Sequence, residues 1–241
     1  MKEVNWLERT ELLIGEDKTQ RLKSSSVLII GLGGVGSYAA EFICRSGVGT
    51  LTIIDGDVVD PTNKNRQLPA LTSTVGMSKA KIMESRMLDI NPNLQLTVID
   101  SFQKPEDTIA LIKGNRFDYV MDCIDSVSPK LYLIKTCYEL NQRFISSMGA
   151  GGKLDASAVT ISDISETYNC RFAKILRKRL KKMNIHSGFK VVFNNAELIR
   201  ESLRLTDGSN YKKSFYGTIS YMPALFGLRM ASEVIQDLIS E

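Results

Sequence analysis

No two cysteines in this chain have the C-x-x-C spacing. Cys44, Cys123, Cys137 and Cys170 are scattered, so no zinc site of the tetrathiolate type is expected. The N-terminus carries no leader pattern, which makes a reducing cytosol the expected compartment and free thiols the expected state. Histidine is scarcer still: His186 is the one imidazole, and it lies in a polar loop. Long hydrophobic runs are missing too. The least polar stretch, residues 217–228, is too short to span a bilayer and is closed by Arg229. It reads as the start of a buried helix, with membrane association through the C-terminal helix left open. There is no internal repeat and no low-complexity tract.

What the chain does contain is ordinary in bulk and specific in detail. Its 241 residues, 43% apolar and 24% charged, suffice for one large α/β domain with a real core. A formal net charge of +4 does not by itself announce a nucleic-acid partner. Strand patterns fall at residues 27–30, 50–54, 94–99, 119–121 and 144–146, with helical patterns at 35–46, 79–90, 108–113 and 129–140 between them. That alternation implies right-handed crossovers and a mainly parallel, doubly wound, Rossmann-like sheet. An amphipathic arm and helix over residues 5–22, with Leu12, Leu13 and Ile14 as its apolar content, precede the first strand. Beyond residue 150 the pattern changes: short strands at 158–161 and 190–193 flank a basic helix at 172–183, and a last helix covers 222–239. No linker divides the halves, so residues 1–241 read as a single domain. Its parts are an arm (1–24), a core (25–150) and an elaborated C-terminal half (151–241).

Directly behind the first strand stands Gly31-Leu32-Gly33-Gly34-Val35-Gly36-Ser37. Glycines let the chain turn from strand to helix and bring backbone N–H groups close to a phosphate, where the helix's positive end favours the anion. Asp55, about twenty residues on at the end of the second strand, is suited to accept hydrogen bonds from ribose hydroxyls. To this point NAD and ATP are served equally, and a tight packing turn without ligand is a further reading. The polar loop that follows, residues 54–67, ends in Arg66, and Lys79 opens the next helix. A dehydrogenase has no need for a fixed guanidinium there, whereas an enzyme that stabilises charge around a phosphorus does. Asp122 and Asp125 lie at the carboxyl end of the fourth strand, where open parallel sheets bind ligands. Asp125 is suited to hold Mg²⁺ against phosphates; Asp122 could face the nucleotide or fix the loop by accepting a backbone N–H.

In this order, these residues resemble the ubiquitin-activating-enzyme-like (ThiF/MoeB/HesA) adenylyltransferases. The resemblance runs from Arg9 to Met148 through Gly31, Gly33, Gly34 and Gly36, Asp55-Gly56-Asp57, Asn63 with Arg66-Gln67, Lys79, and Asp122 with Asp125. It implies ribose binding by Asp55, phosphate contacts from Asn63, Arg66 and Lys79, and magnesium on Asp125. It also implies a homodimer in which Arg9 completes the neighbouring subunit's ATP site.

Members that form a thioester need a cysteine in the crossover segment. Cys170 lies in roughly that region, equally readable as a nucleophile or as an ordinary half-buried thiol. Over its whole length, including Asp125-Ser126-Val127-Ser128-Pro129-Lys130 and Gly149-Ala150-Gly151-Gly152-Lys153, the chain is most similar to the tRNA threonylcarbamoyladenosine dehydratases, a branch with neither zinc nor a required thioester. This likeness implies an AMP-forming, ligase-type enzyme that cyclises threonylcarbamoyladenosine beside the anticodon through an acyl adenylate. It leaves open an alkali-metal ion (K⁺ or Na⁺) and a sulfur-transfer protein partner. The basic helix offers separate support. Arg171, Lys174, Arg177, Lys178, Arg179, Lys181 and Lys182 are seven cations with no acid among them, a pattern for RNA phosphates or for a solvated face. The surrounding segment, 165–187, is expected to be flexible and to order on RNA. Three rivals stand beside this reading: an activator of a ubiquitin-like or sulfur-carrier protein, an NAD(P) oxidoreductase, and a nucleotide-gated binding module.

Overall fold

The structure, a computed structural model, describes residues 5–205 and 214–240. Its organisation follows from strand β1 (Ser26–Ile30), whose apolar side chains alternate between two cores. Val27 and Ile29 point into one, Leu28 and Ile30 into the other, and none is more than 5% exposed. A strand buried on both faces requires helices on both sides. On one side lie α2 (Glu16–Ser24), α3 (Gly36–Arg45), α4 (Lys79–Ile90) and α8 (Tyr221–Ile239); on the other, α5 (Pro105–Gly114), α6 (Val127–Glu139) and α7 (Arg171–Lys181).

The sheet adds β2 (Thr50–Ile54), β3 (Gln95–Ile99), β4 (Tyr119–Asp122), β5 (Phe144–Ser147), β6 (Val159–Asp163) and β7 (Lys190–Asn194), in the order β3-β2-β1-β4-β5-β7-β6. Only β6 runs antiparallel. Strands β6 and β7 come from the second half of the chain, yet β7 pairs with β5 in the same sheet. The connection order reverses between β1 and β4, and a ligand crevice opens beyond the carboxyl ends of strands at such a point.

Three expectations are corrected here. The N-terminal segment is two helices, α1 (Glu8–Ile14) and α2, broken at Gly15 with its φ of +87°. Leu12 and Leu13 are not its buried face: they are 82% and 84% exposed, while Leu7 and Leu22 do the packing. The segment 165–187 is built rather than loose, because Ala173, Leu176, Leu180 and Ile185 are buried in the second core. The C-terminal helix turns Met222, Phe226, Met230, Ala231, Val234 and Leu238 inward, so its apolar face is already covered by protein. No helix among the described residues is long and apolar enough to cross a membrane. A short hairpin of β8 (Leu203–Leu205) and β9 (Ser214–Tyr216) carried no readable pattern in the sequence.

Candidate nucleotide and adenylation site

The glycine turn closes on the end of β4. Gly31 has a φ of +92°, and a Cβ there would sit 3.0 Å from the Cys123 carbonyl oxygen. At Gly36 a Cβ would fall 1.7 Å from the Gly31 carbonyl oxygen, a distance no side chain can occupy. Gly34 lies against Pro223 and the Arg66 carbonyl, whereas Gly33 faces only the Gln67 amide, at 3.7 Å. The β1 and β4 ends and the Arg66 loop therefore meet around one turn.

Asp55 organises that meeting. Its Oδ2 accepts the Leu32 N–H at 2.6 Å and its Oδ1 accepts the Asp57 N–H at 2.7 Å. Burial pushes its carboxyl above the ordinary range, outweighing those two bonds and the nearby Lys79. Asp57 in turn pairs with Lys79, Nζ to Oδ2 at 3.0 Å, and the Lys79 side chain is buried. Ser78 caps α4 by accepting the Lys81 N–H, which fixes Lys79 in the first turn.

Asn63 is buried, and its Oδ1 accepts the Asp60 N–H at 3.2 Å, closing the turn that leads to Arg66. The Arg66 guanidinium donates to the Thr62 carbonyl at 2.9 Å and to Asn65 Oδ1 at 2.7 Å. Burial lowers its proton affinity, while Asp125 and Asp60 act in the opposite sense. Arg66 and Asp125 thus lie within one another's field across the crevice. Asp125 is exposed, with the Ser126 hydroxyl 3.5 Å from its Oδ1. Beside the turn, Gln67 Oε1 is buried without a hydrogen-bond partner among the described residues.

Asp122 has a different place. It is fully buried, and Oδ2 receives Lys130 Nζ at 2.7 Å and the Ser146 hydroxyl at 2.6 Å. Its Oδ1 accepts the Ile124 N–H at 3.1 Å. Of the two roles left open, the geometry is that of the loop-fixing one: a sealed ion pair stands under the Asp125 loop and does not face the crevice. Lys130 was missed by sequence reasoning, since a lysine in an amphipathic helix reads as surface.

Arg9 is exposed on α1, and its side chain forms no hydrogen bond or ion pair among the described residues. Leu7, two residues earlier, packs against Gly47 in the connection that enters β2, at the amino edge of the sheet. The glycine turn lies at the carboxyl edge, roughly 17 Å away along a five-residue strand. Within one chain the two are not brought together.

On α7, Arg177 turns inward and its guanidinium donates to the Thr167 carbonyl and hydroxyl. Arg171, Lys174, Lys178, Arg179, Lys181 and Lys182 are exposed and form no ion pair among the described residues. Cys170 is 7% exposed and packed in the second core. Burial pushes the Cys44 thiol up to about 11 and raises those of Cys123 and Cys137 further, so these three are poor nucleophiles. No group of three or more His, Cys, Asp or Glu side chains among the described residues is placed to hold a metal ion.

The ThiF family matches residues 7–241. The chain belongs to the ThiF family. Over 240 residues it is 39% identical to the tRNA threonylcarbamoyladenosine dehydratase of Bacillus subtilis, covering 97% of this chain and 94% of that one. The Escherichia coli protein of the same name is 40% identical over 193 residues, 79% of this chain and 70% of its own. A crystal structure of that E. coli dehydratase, TcdA, in complex with ATP superposes with a TM-score of 0.86 at 32% identity. That superposition covers 100% of this chain and 97% of the other.

Proposed function

We propose that this ThiF-family chain is an ATP-dependent, AMP-forming enzyme that cyclises threonylcarbamoyladenosine next to a tRNA anticodon. The observation that carries this reading is the end-to-end likeness to dehydratases of that name, extending through the C-terminal half as well as the nucleotide core. Local geometry supports ATP as the substrate. A glycine turn with no room for side chains at Gly31, Gly34 and Gly36, a half-buried Arg66 and the orphaned Gln67 oxygen form a cradle with unmet polar capacity. The absence of C-x-x-C pairs and the burial of Cys170 argue against the sulfur-carrier activators.

In the proposed reaction the threonyl carboxylate attacks the α-phosphorus of ATP and displaces pyrophosphate. An acyl adenylate results, in which AMP replaces an unworkable oxide leaving group. The carbamoyl nitrogen or oxygen then attacks the acyl carbon, AMP departs, and the proton of the attacking group passes to solvent. The net change is loss of one water, driven by ATP. Nucleophile and acyl carbon sit on one substituent, so effective molarity is high and no enzyme nucleophile is needed. Arg66 and Lys79 would hold and neutralise the phosphates, and Asp55 would orient the ribose. Magnesium suits a site with one exposed carboxylate, since it binds through one or two carboxylates plus phosphates; Asp125 would hold it. It would draw charge from the phosphate oxygens. The family resemblance implies a homodimer in which Arg9 reaches the neighbouring subunit's site, a reading supported by the exposed Leu12 and Leu13 beside Arg9.

Incubation with ATP, Mg²⁺ and modified tRNA should give a nucleoside lighter by one water in mass spectrometry. Arg66→Ala and Asp125→Ala should each cut ATP–pyrophosphate exchange by about a hundredfold or more with the fold intact. Normal exchange in both variants would overturn their assignment.

A further inference from the structure

A cleft of about 500 Å³ opens beside the nucleotide loop, walled by Asn65, Leu154, Ile199, Thr218 and Ile219. That volume falls within the roughly 300–1,000 Å³ of small-molecule sites. Asn65 is its hinge to the adenylation chemistry. Its Oδ1 accepts from the Arg66 guanidinium at 2.7 Å, while its Nδ2 donates to the Thr218 carbonyl at 2.9 Å. One amide therefore joins the cation at the phosphates to the cleft wall. The other wall is braced by Lys153, which is buried and donates to the carbonyls of Asn169 and Ala196. The basic helix reaches the same place: Arg171 donates to the Tyr216 hydroxyl at 3.2 Å, and Tyr216 is followed directly by the cleft residues Gly217 and Thr218.

We propose that this cleft is the acceptor subsite, taking a purine nucleoside whose base carries an amino-acid substituent with a free carboxylate. The proposal rests on the functional reading above and deepens it. Leu154, Ile199 and Ile219 offer apolar surface for the flat base. Asn65 and Thr218 line the polar end, from which the carboxylate meets the nucleotide at Arg66. RNA seated on the exposed cations of α7 delivers the base to the mouth beside Tyr216.

Leu154 and Ile219 are 54% and 38% exposed, so each can be replaced without opening the core. A carboxylate placed inside a partly desolvated cleft repels the substrate's own carboxylate. Leu154→Asp and Ile219→Asp should each raise KM for modified tRNA about tenfold or more. Affinity for ATP and for tRNA lacking the modification should not change. An unchanged KM in both aspartate variants would overturn the proposal. So would an equal loss of affinity for modified and unmodified tRNA, which would make the cleft part of a general RNA surface. Absence of any dehydrated product with the wild type would instead sink the functional reading itself.

Discussion

The cations of the nucleotide core and those of α7 are built on opposite plans. In the core each is held: Lys79 by Asp57, Lys130 by Asp122 and Ser146, and Arg66 by Thr62 and Asn65. On α7 Arg177 is tied to Thr167 and Arg171 donates to the Tyr216 hydroxyl, and the six cations other than Arg177 stand exposed without an ion pair among the described residues. The contrast fits two tasks. Stabilising charge at one phosphorus demands donors fixed before the substrate arrives, because reorganisation at the moment of reaction would cost rate. Holding a polyanion demands only net charge, since counterion release is insensitive to where each ammonium lies.

The largest test falls inside the glycine turn, where two positions three residues apart differ completely. Gly36→Ala should abolish ATP binding and destabilise the fold by about 3 kcal/mol or more, because its methyl group lands on the Gly31 carbonyl. Gly33→Ala, with 3.7 Å to its nearest protein neighbour, should unfold at nearly the wild-type temperature. Calorimetric titration and thermal unfolding of the pair measure both halves. Equal behaviour would mean that the turn is not rigidly built.

A second test asks whether the core's cations are as fixed as their pairing suggests. Lys130→Met leaves Asp122 buried opposite an apolar chain and should cost about 3–5 kcal/mol in denaturant unfolding. The double variant Lys130→Met with Asp122→Asn removes both charges and should recover most of that loss. If the single variant is neutral, the buried pair is not what anchors the Asp125 loop.

The same contrast explains what could be read from the chain alone. Strands β1 to β5 and the helices between them were legible within a residue or two, apart from the start of α5: burial on both faces marks β1, β2, β4 and β5, while the half-exposed edge strand β3 shows as an alternation of polar and apolar residues. The glycine turn was legible because part of its steric demand, Gly36 against the Gly31 carbonyl, is local. Lys130, the Asn65–Thr218 bond and the β8–β9 hairpin were not. Each depends on a partner brought close by the fold: Thr218 lies 153 residues beyond Asn65, and nothing in either neighbourhood announces the other. Leu12 and Leu13 misled for a related reason. Apolar spacing shows that a helix face wants cover, but not whether the cover comes from the same chain.

The smallest effects belong to α7, and their shape matters more than their size. Lys174, Lys178 and Lys181 share one exposed stripe, while Arg177 serves Thr167 and is the wrong place to probe RNA contact. Lys178→Glu with Lys181→Glu should weaken tRNA binding several-fold at moderate salt and leave the affinity for ATP alone. Each lost phosphate contact should reduce the slope of log affinity against log salt by about 1. A drop in affinity with the slope unchanged would mean that the helix acts through shape or a specific base. It would then be built like the nucleotide core, and the division between fixed and diffuse cations would fail.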